Sequence, residues 1–202
     1  MSEFVWQRRV LRWGVGVGLG TAVLLIILIA SGLFDPKPVG PFQPAINLTL
    51  TIPEEGRAVR WLDAPLPPGD FSVRLMVESE GAGEQGCKGD IFTPAPLLPC
   101  PPAFPTTGLL LGSAPLWVGV SPLGYVEIMD GETAVLPLQT WVHVRPSANE
   151  IWVDMRDETM TVRVNRELLW QGEVTLMGRQ VGISGEGKAG VVNGQLSMAN
   201  GQ

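Results

Sequence analysis

The pattern of hydrophobic and polar residues divides the chain into one long apolar segment and a region of short alternating segments. From Trp13 to Phe34 there are 22 residues without a charge. As a helix, this segment spans about 30 Å, the thickness of the hydrocarbon core of a bilayer. The pattern therefore predicts a cytoplasmic N-terminus (1–12), a transmembrane helix (13–34), a Pro-rich linker (35–44) and a folded domain (45–202).

The charges that flank the apolar segment predict its orientation. Arg8, Arg9 and Arg12 precede it, whereas only Asp35 and Lys37 follow closely. The excess of arginine before the helix predicts a single-pass protein with a cytoplasmic N-terminus and an extracytoplasmic domain. A cleaved signal peptide is the alternative, but the apolar run is longer than a signal peptide needs, which favours an uncleaved signal anchor. The compact, loop-poor domain favours a bacterial cell membrane.

The first half of the predicted helix is rich in glycine. Gly14, Gly16, Gly18 and Gly20 form two interleaved pairs, each with a spacing of four residues. Small residues at this spacing let a second transmembrane helix approach closely. The segment therefore predicts two partners, the lipid bilayer and other transmembrane subunits.

The remaining chain has the pattern of short β-strands. Gly 25 and Pro 18 in 202 residues provide many turns and disfavour a helical bundle. Many short strands separated by such turns indicate an antiparallel sandwich or barrel. The predicted strands are Ile46–Ile52, Phe71–Glu78, Leu116–Val120, Tyr125–Met129, Trp141–Arg145, Ile151–Arg156, Met160–Asn165, Arg179–Ser184 and a last strand near Gln195–Ala199.

The segment WVHVRPSANEIWVDMRDETMTVRVNRELLWQGEV, which starts at Trp141, and the later RQVGIS resemble a known family. They are similar to the C-terminal half of concanavalin A-like lectin and glucanase domains, including the laminin G-like jelly rolls. Asn165-Arg166 stands where that family usually has Asn-Gly or Asp-Gly. The resemblance implies an all-β jelly-roll sandwich and by itself implies no activity. An immunoglobulin-like sandwich is the alternative fold.

Two predicted hairpins bring polar and aromatic side chains to one face. A four-residue turn at 146–149 would pair His143 with Trp152 and Trp141 with Asp154. A two-residue turn at Asp157-Glu158 would pair Trp152 with Arg163. The candidate binding or partner face therefore comprises Trp141, His143, Trp152, Asp154 and Arg163. Two tryptophans on an outward face indicate either a bound sugar or cover by another part of the chain or by a partner.

Few residues in the sequence indicate catalysis or metal binding. Cys87 and Cys100, the only cysteines, predict a disulfide in an extracytoplasmic domain, and two free thiols are the alternative. The stretch from Glu127 to Glu132 lacks the spacing of glycosidase carboxylates and is expected to end a strand in an Asp-Gly turn. With one histidine and a net charge of −6, we expect no catalytic set, metal, cofactor or nucleic-acid partner.

Three functional hypotheses follow from these patterns. The first is a non-catalytic accessory subunit of a larger membrane complex, such as an electron-transport complex, with the sandwich docked on the extracytoplasmic side. The second is a membrane-anchored carbohydrate-binding, lectin-like module whose partners are glycans. The third is an unusual sugar hydrolase.

Overall fold

The structure, a computed structural model, describes residues 2–30, 36–53, 56–79, 106–187 and 190–201. The predicted disulfide between Cys87 and Cys100 lies outside these residues. In the described ranges one helix precedes twelve strands. They are α1 (Ser2–Ala30), β1 (Ile46–Ile52), β2 (Arg57–Trp61), β3 (Phe71–Ser79), β4 (Thr106–Leu111), β5 (Leu116–Ser121), β6 (Tyr125–Asp130), β7 (Thr133–Thr140), β8 (Ala148–Arg156), β9 (Thr159–Val164), β10 (Glu167–Glu173), β11 (Val181–Glu186) and β12 (Gly190–Asn200).

The chain divides into two compact units, residues 1–37 and residues 38–202. The first contains α1, where the side chains from Trp13 to Ile27 are exposed. Within the residues that the structure describes, no helix is both long enough and apolar enough to cross a membrane. The second unit includes residues 38–44, which the sequence analysis assigns to a linker outside the domain.

The second unit is an antiparallel β-sandwich, as the sequence predicts. Sheet A has the strand order β1-β12-β3-β8-β9-β10, and sheet B has the order β2-β11-β4-β5-β6-β7. All the strand pairs in both sheets are antiparallel. The twelve strands of these two sheets exceed the seven to nine strands of immunoglobulin domains, so the structure favours the predicted jelly roll over the immunoglobulin-like alternative.

The core lies between the two sheets and follows the alternation along the strands. In sheet A, Val73, Ile151 and Val162 are fully buried, and in sheet B so are Leu109 and Val118. Their sequence neighbours point to the outer faces, because successive side chains of a strand alternate. Each sheet therefore presents a second face on which ligands or other chain segments can lie.

The hairpin between β8 and β9 has the predicted register. Trp152 pairs with Arg163, Asp154 with Thr161, and Arg156 with Thr159. Val153 and Val162 are fully buried on the opposite face. The two-residue turn and the apolar alternation fix this register, since a slip of one residue would expose the whole apolar set.

The predicted strand Trp141–Arg145 is wrong, and with it the first hairpin. The strand before this segment is β7, which ends at Thr140 and pairs with β6 in sheet B, whereas β8 pairs with β3 and β9 in sheet A. The intervening residues connect the sheets, so His143 does not pair with Trp152, nor Trp141 with Asp154. Val142, whose side chain would point to the core if this segment were a strand with Trp141 and His143 outward, is 90% exposed.

Asparagine side chains provide the physical reason for this irregular connection. Asn149 accepts a hydrogen bond from the Arg145 N–H at 2.7 Å and donates one to the Arg145 carbonyl at 2.7 Å. Asn165 donates to the carbonyl of His143 at 2.6 Å. These side chains satisfy backbone groups that a strand would pair with a neighbouring strand.

Candidate functional site

Trp152, Asp154 and Arg163 lie together on the outer face of sheet A, where they form a satisfied polar network. Asp154 is 5% exposed and accepts hydrogen bonds from the Trp152 Nε1 at 2.8 Å and from the Ser72 hydroxyl at 2.5 Å. The Arg163 guanidinium donates to its second carboxylate oxygen at 3.3 Å. Each carboxylate oxygen is thus engaged within the chain, which is typical of a structural network.

Residues 38–44 cover this part of the face. The Phe42 ring meets Trp152 edge to face, with centroids 5.8 Å apart, and the Arg74 guanidinium lies 4.4 Å from the centre of the Phe42 ring. Trp152 is only 5% exposed. Of the two explanations for an outward tryptophan, cover by another part of the chain therefore applies to Trp152.

Trp141 and His143 lie in the connection between β7 and β8. Their rings are 5.4 Å apart, Trp141 is half-buried against the core, and His143 is exposed. The five residues proposed from the sequence therefore form two groups, one beneath Phe42 and one in the connection.

The outer face of sheet B carries a row of four paired residues on four strands, and three of the four are small. Ser184 of β11 pairs with Gly108 of β4, Gly108 with Gly119 of β5, and Gly119 with Glu127 of β6. Ser184 contributes a hydroxyl at one end of the row, and Glu127 contributes a carboxylate at the other end. The glycines leave a flat floor between these polar side chains.

The indole of Trp117 lies against this floor. A Cβ atom at Gly108 would overlap with the Trp117 Nε1, and one at Gly119 would lie 2.9 Å from its Cζ2. Side chains at either position would therefore displace the indole. In the neighbouring row, a Cβ at Gly182 would lie 2.9 Å from Cε3 of Trp61, which is 39% exposed. Glycine thus makes room for both tryptophans on this face.

Arg57 covers the other side of Trp117. Its guanidinium carbon lies 4.3 Å from the centre of the indole ring, a cation–π distance. Its Nε and Nη2 donate to the hydroxyl of Ser184 at 3.1 and 3.0 Å. Trp117 is only 6% exposed, whereas Arg57 remains exposed. The guanidinium is therefore held in one orientation with donors still facing solvent.

Glu127 and Glu186 add carboxylates to the same face. Partial burial raises the pKa of Glu127, the nearby Glu186 raises it further, and Arg57 acts to lower it. Among the described side chains, no ion pair within 4.0 Å joins Arg57 to either glutamate. We call Arg57, Trp61, Trp117, Glu127, Ser184 and Glu186 the sheet B site.

The sheet B site combines an aromatic platform with hydrogen-bond donors and acceptors. Trp61 offers a partly exposed ring, Arg57 offers N–H donors, and Glu127 and Glu186 offer acceptors. In the described residues no group of three or more His, Cys, Asp or Glu is placed to hold a metal ion. These side chains can stack on an apolar surface and can donate and accept hydrogen bonds.

The stretch from Glu127 to Glu132 ends a strand in a tight turn, as the sequence predicts. Asp130 closes β6 by pairing with Thr133, and Gly131 has a φ of 58°. Glu127 is on the outer face, and Asp130 is at the exposed end of the strand. The sequence patterns single out Glu127 but not the other members of the site, Arg57, Trp117 and Ser184. Isolated glycines within strand patterns, at Gly108, Gly119 and Gly182, were the available signal.

Comparisons with known proteins support the fold alone. No protein family and no curated protein matches the sequence. A solved β-fructofuranosidase from Aspergillus kawachii, complexed with glycerol, has a TM-score of 0.52 at 8% identity, over 80% of this chain and 28% of that one. A carbohydrate-binding module from Bacillus subtilis has a TM-score of 0.47 at 9% identity, over 81% and 91% of the two chains. The potassium-bound carbohydrate recognition domain of Emp46p has a TM-score of 0.48 at 11% identity, over 76% of this chain and 82% of that one. The predicted concanavalin A-like sandwich is confirmed at the level of fold.

Proposed function

We propose that the protein is a membrane-anchored, lectin-like module that binds a neutral glycan at the sheet B site. The observation that carries the proposal is the Arg57 guanidinium, stacked on Trp117 and bonded to Ser184 over the glycine floor. Glu127, Glu186 and the partly exposed Trp61 lie on the same face of the sheet. A sugar ring has an apolar C–H face and a rim of hydroxyl groups. The partly exposed ring of Trp61 can stack on the apolar face of the sugar. Tryptophan is an amphipathic side chain that is enriched at binding surfaces.

The polar groups of the site suit the hydroxyl rim. A hydroxyl group both donates and accepts, so it can accept from the Arg57 guanidinium and donate to Glu127 or Glu186. Because the stacking on Trp117 and the two bonds to Ser184 already orient Arg57, less side-chain freedom is lost on binding.

The charge of the site predicts its selectivity. Two carboxylates face one guanidinium, so an acidic sugar would add a like charge next to Glu127 and Glu186. Like charges in contact across an interface disfavour binding. The proposed ligand is therefore a neutral glycan, and uronate polymers are expected to bind more weakly.

A glycan array probed with the full chain in detergent tests this proposal, followed by calorimetry with the best neutral oligosaccharide. We expect Trp61→Ala and Arg57→Ala to weaken binding by about tenfold or more, as loss of a central aromatic or arginine contact does. Arg60→Ala is the matched control, because Arg60 is on the same strand and donates instead to the Thr49 carbonyl at 2.8 Å. No binding on the array, or equal losses for Arg57→Ala and Arg60→Ala, would reject the proposal.

The anchor is the second part of the proposal. The described apolar side chains of α1 are exposed, from Trp13 at 76% to Ile27 at 57%, and the uncharged sequence continues to Phe34. Such a helix needs lipid or protein around it. We expect the full chain to remain in the membrane fraction after alkaline extraction and a chain without residues 1–34 to be released from it. External protease should reach the domain in intact spheroplasts if Arg8, Arg9 and Arg12 hold the N-terminus inside.

An accessory subunit of a membrane complex is the second candidate function. The observation that favours it is the spacing of Gly14, Gly16, Gly18 and Gly20 on the exposed part of α1. Small residues at this spacing let a second helix approach closely. If a fixed set of subunits co-purifies in mild detergent, and Gly16→Leu with Gly18→Leu abolishes the association, the accessory function gains support. Purification of the wild-type chain alone would count against it.

A further inference from the structure

Residues 38–44, which we call the strap, lie against the outer face of sheet A. The N–H of Val39 donates to the Ser72 hydroxyl at 2.8 Å, and the N–H of Gln43 donates to the Met198 carbonyl at 2.8 Å. Phe42 packs between Trp152 and Arg74. The strap thus makes two main-chain hydrogen bonds and one aromatic contact, the type of interaction by which an extended peptide binds a protein surface.

The strap also fits the surface closely at one point. A Cβ atom at Gly40 would overlap with the carbonyl oxygen of Asn200. Only glycine therefore allows the strap to approach the end of β12. Gly40 gives an experimental means of displacing the strap without changing any residue of the sheet.

Several features make the strap weakly held compared with a strand. Pro38, Pro41 and Pro44 have no N–H, so they cannot contribute the hydrogen bonds of a ladder. Phe42 is half-buried, and Pro41, Gln43 and Pro44 are exposed. Of the strands beneath, β3 has β12 and β8 as neighbours, so its ladders do not involve the strap, whereas the Met198 carbonyl of β12 takes its bond from Gln43. Release of the strap would therefore break this one main-chain bond and leave the pairing between the strands in place.

We propose that the strap is reversibly bound, and that the face beneath it, formed by the side chains of Ser72, Arg74 and Trp152 with the Met198 carbonyl, is a docking surface for an extended, proline-rich peptide with a central aromatic residue. Its occupant in the chain is the strap itself. If the membrane anchor of the proposed function is correct, release adds seven residues to the tether, about 20 Å of reach at the rise of a polyproline helix. The docking surface itself does not depend on the anchor or on glycan binding at sheet B.

A labelled peptide with the sequence of residues 38–45, PVGPFQPA, tests the docking surface on the full chain in detergent. The double variant Gly40→Ala, Phe42→Ala displaces the strap, whereas Gly20→Ala, at a position with open space, is the control. We expect the peptide to bind the displaced variant about tenfold or more tightly than the wild type, because the bound strap reduces the fraction of competent molecules. A peptide with alanine in place of phenylalanine should not bind, and Arg74→Met in the displaced variant should weaken binding.

Amide hydrogen exchange of the wild-type chain tests reversibility independently. The amides of Val39 and Gln43 should exchange much faster than those of β3 and β8, since local release is easier than unfolding of the sheet. If these two amides exchange as slowly as those of the core strands, the proposal that the strap is reversibly bound is overturned. Equal peptide affinity for the wild type and the displaced variant, or no binding to either at millimolar peptide, would overturn the docking surface. Glycan binding at sheet B, measured on the same variants, should be unchanged.

Discussion

Replacement of Asp154 by asparagine tests the network that stabilises the outer face of sheet A. Asp154 is 5% exposed and accepts from Trp152, Ser72 and Arg163. Asp154→Asn keeps the shape of the side chain, so it creates no cavity. It removes the charge and places an N–H donor where one carboxylate oxygen stood. Two donors, the new amide and the Arg163 guanidinium, then face each other.

The expected loss of stability follows from the contacts that change. Hydrogen bonds to a charged group contribute about 1.5–3 kcal/mol each, and leaving a buried donor without an acceptor costs about 1–3 kcal/mol. The bonds from Trp152 and Ser72 can persist on the remaining oxygen, whereas the contact with Arg163 at 3.3 Å cannot. We therefore expect a loss of about 2–4 kcal/mol in the free energy of unfolding. For a domain of this size, that lowers Tm by about 5–15 °C.

A double-mutant cycle in a denaturant titration, followed by circular dichroism, measures the effect. Arg163→Met removes the facing donor, so Asp154→Asn should cost less in that background than in the wild type, with a coupling of about 0.5–3 kcal/mol. Asp130→Asn, at the exposed end of β6, is the control and should change stability by less than about 0.5 kcal/mol. The reasoning is refuted if Asp154→Asn matches this control, or if the two changes add without coupling.

Two further predictions concern a carboxyl group and a turn. Burial raises the pKa of Glu127 above its unfolded value, so its contribution to stability is present at low pH and is lost as pH rises through the folded pKa. Glu127→Gln should therefore be more stable than the wild type near pH 7. In thermal melts, this difference in stability should shrink towards acid pH. In the turn between β9 and β10, Asn165 and Arg166 have φ values of 54° and 74°, so Arg166→Gly should relieve about 1 kcal/mol of backbone strain. The net gain should be smaller, because Arg166 also contacts the buried Glu150, which keeps Arg74 as a second cationic partner. Asn165→Gly should instead destabilise the fold, because Asn165 donates to His143 and Asn149, and equal effects of the two glycine variants would contradict this account of the turn.

The sequence predicts those parts of the fold that depend on local patterns. The β8–β9 hairpin was predicted in full because a two-residue turn and strict alternation determine its register. Four strands were missed, β2, β4, β7 and β10. The sequence of β4, TTGLLL, has no alternation because both of its faces are buried, and β7 contains Pro137, which strands tolerate only at a sheet edge.

The error at Trp141–Arg145 shows what a local pattern cannot provide. The sequence WVHVR alternates like a strand, but alternation does not say which sheet receives the segment. Here the chain must pass from β7 at the edge of sheet B to β8 inside sheet A. The hydrogen bonds that hold this connection come from Asn149 and Asn165, and Asn165 is 22 residues beyond His143, whose carbonyl it binds.

The sheet B site was beyond sequence reasoning for a topological reason. Arg57, Trp117, Glu127 and Ser184 come from β2, β5, β6 and β11, and only the order β2-β11-β4-β5-β6 brings them to one face. Strands β2 and β11 are neighbours although they lie at opposite ends of the domain's sequence. Nothing in the local pattern of either strand specifies this pairing.

The tryptophan–glycine contacts alone do not define the site, and a third example shows why. On β10, at the edge of sheet A, a Cβ at Gly172 would lie 2.7 Å from Cη2 of Trp170, so a glycine makes room for an indole there as well. Trp170, however, packs against the hydrophobic core. A glycine next to a tryptophan ring therefore occurs both where the ring packs on the core and where it lies on an outer face, so it does not by itself indicate a binding site. What distinguishes sheet B is the exposed Arg57, held on the indole and on Ser184 but joined to no described carboxylate, with Glu127 on the same face. The proposed ligand is assigned to Arg57 and to the carboxylates on the same face, so Arg57→Ala should weaken binding, as should the loss of the partly exposed Trp61.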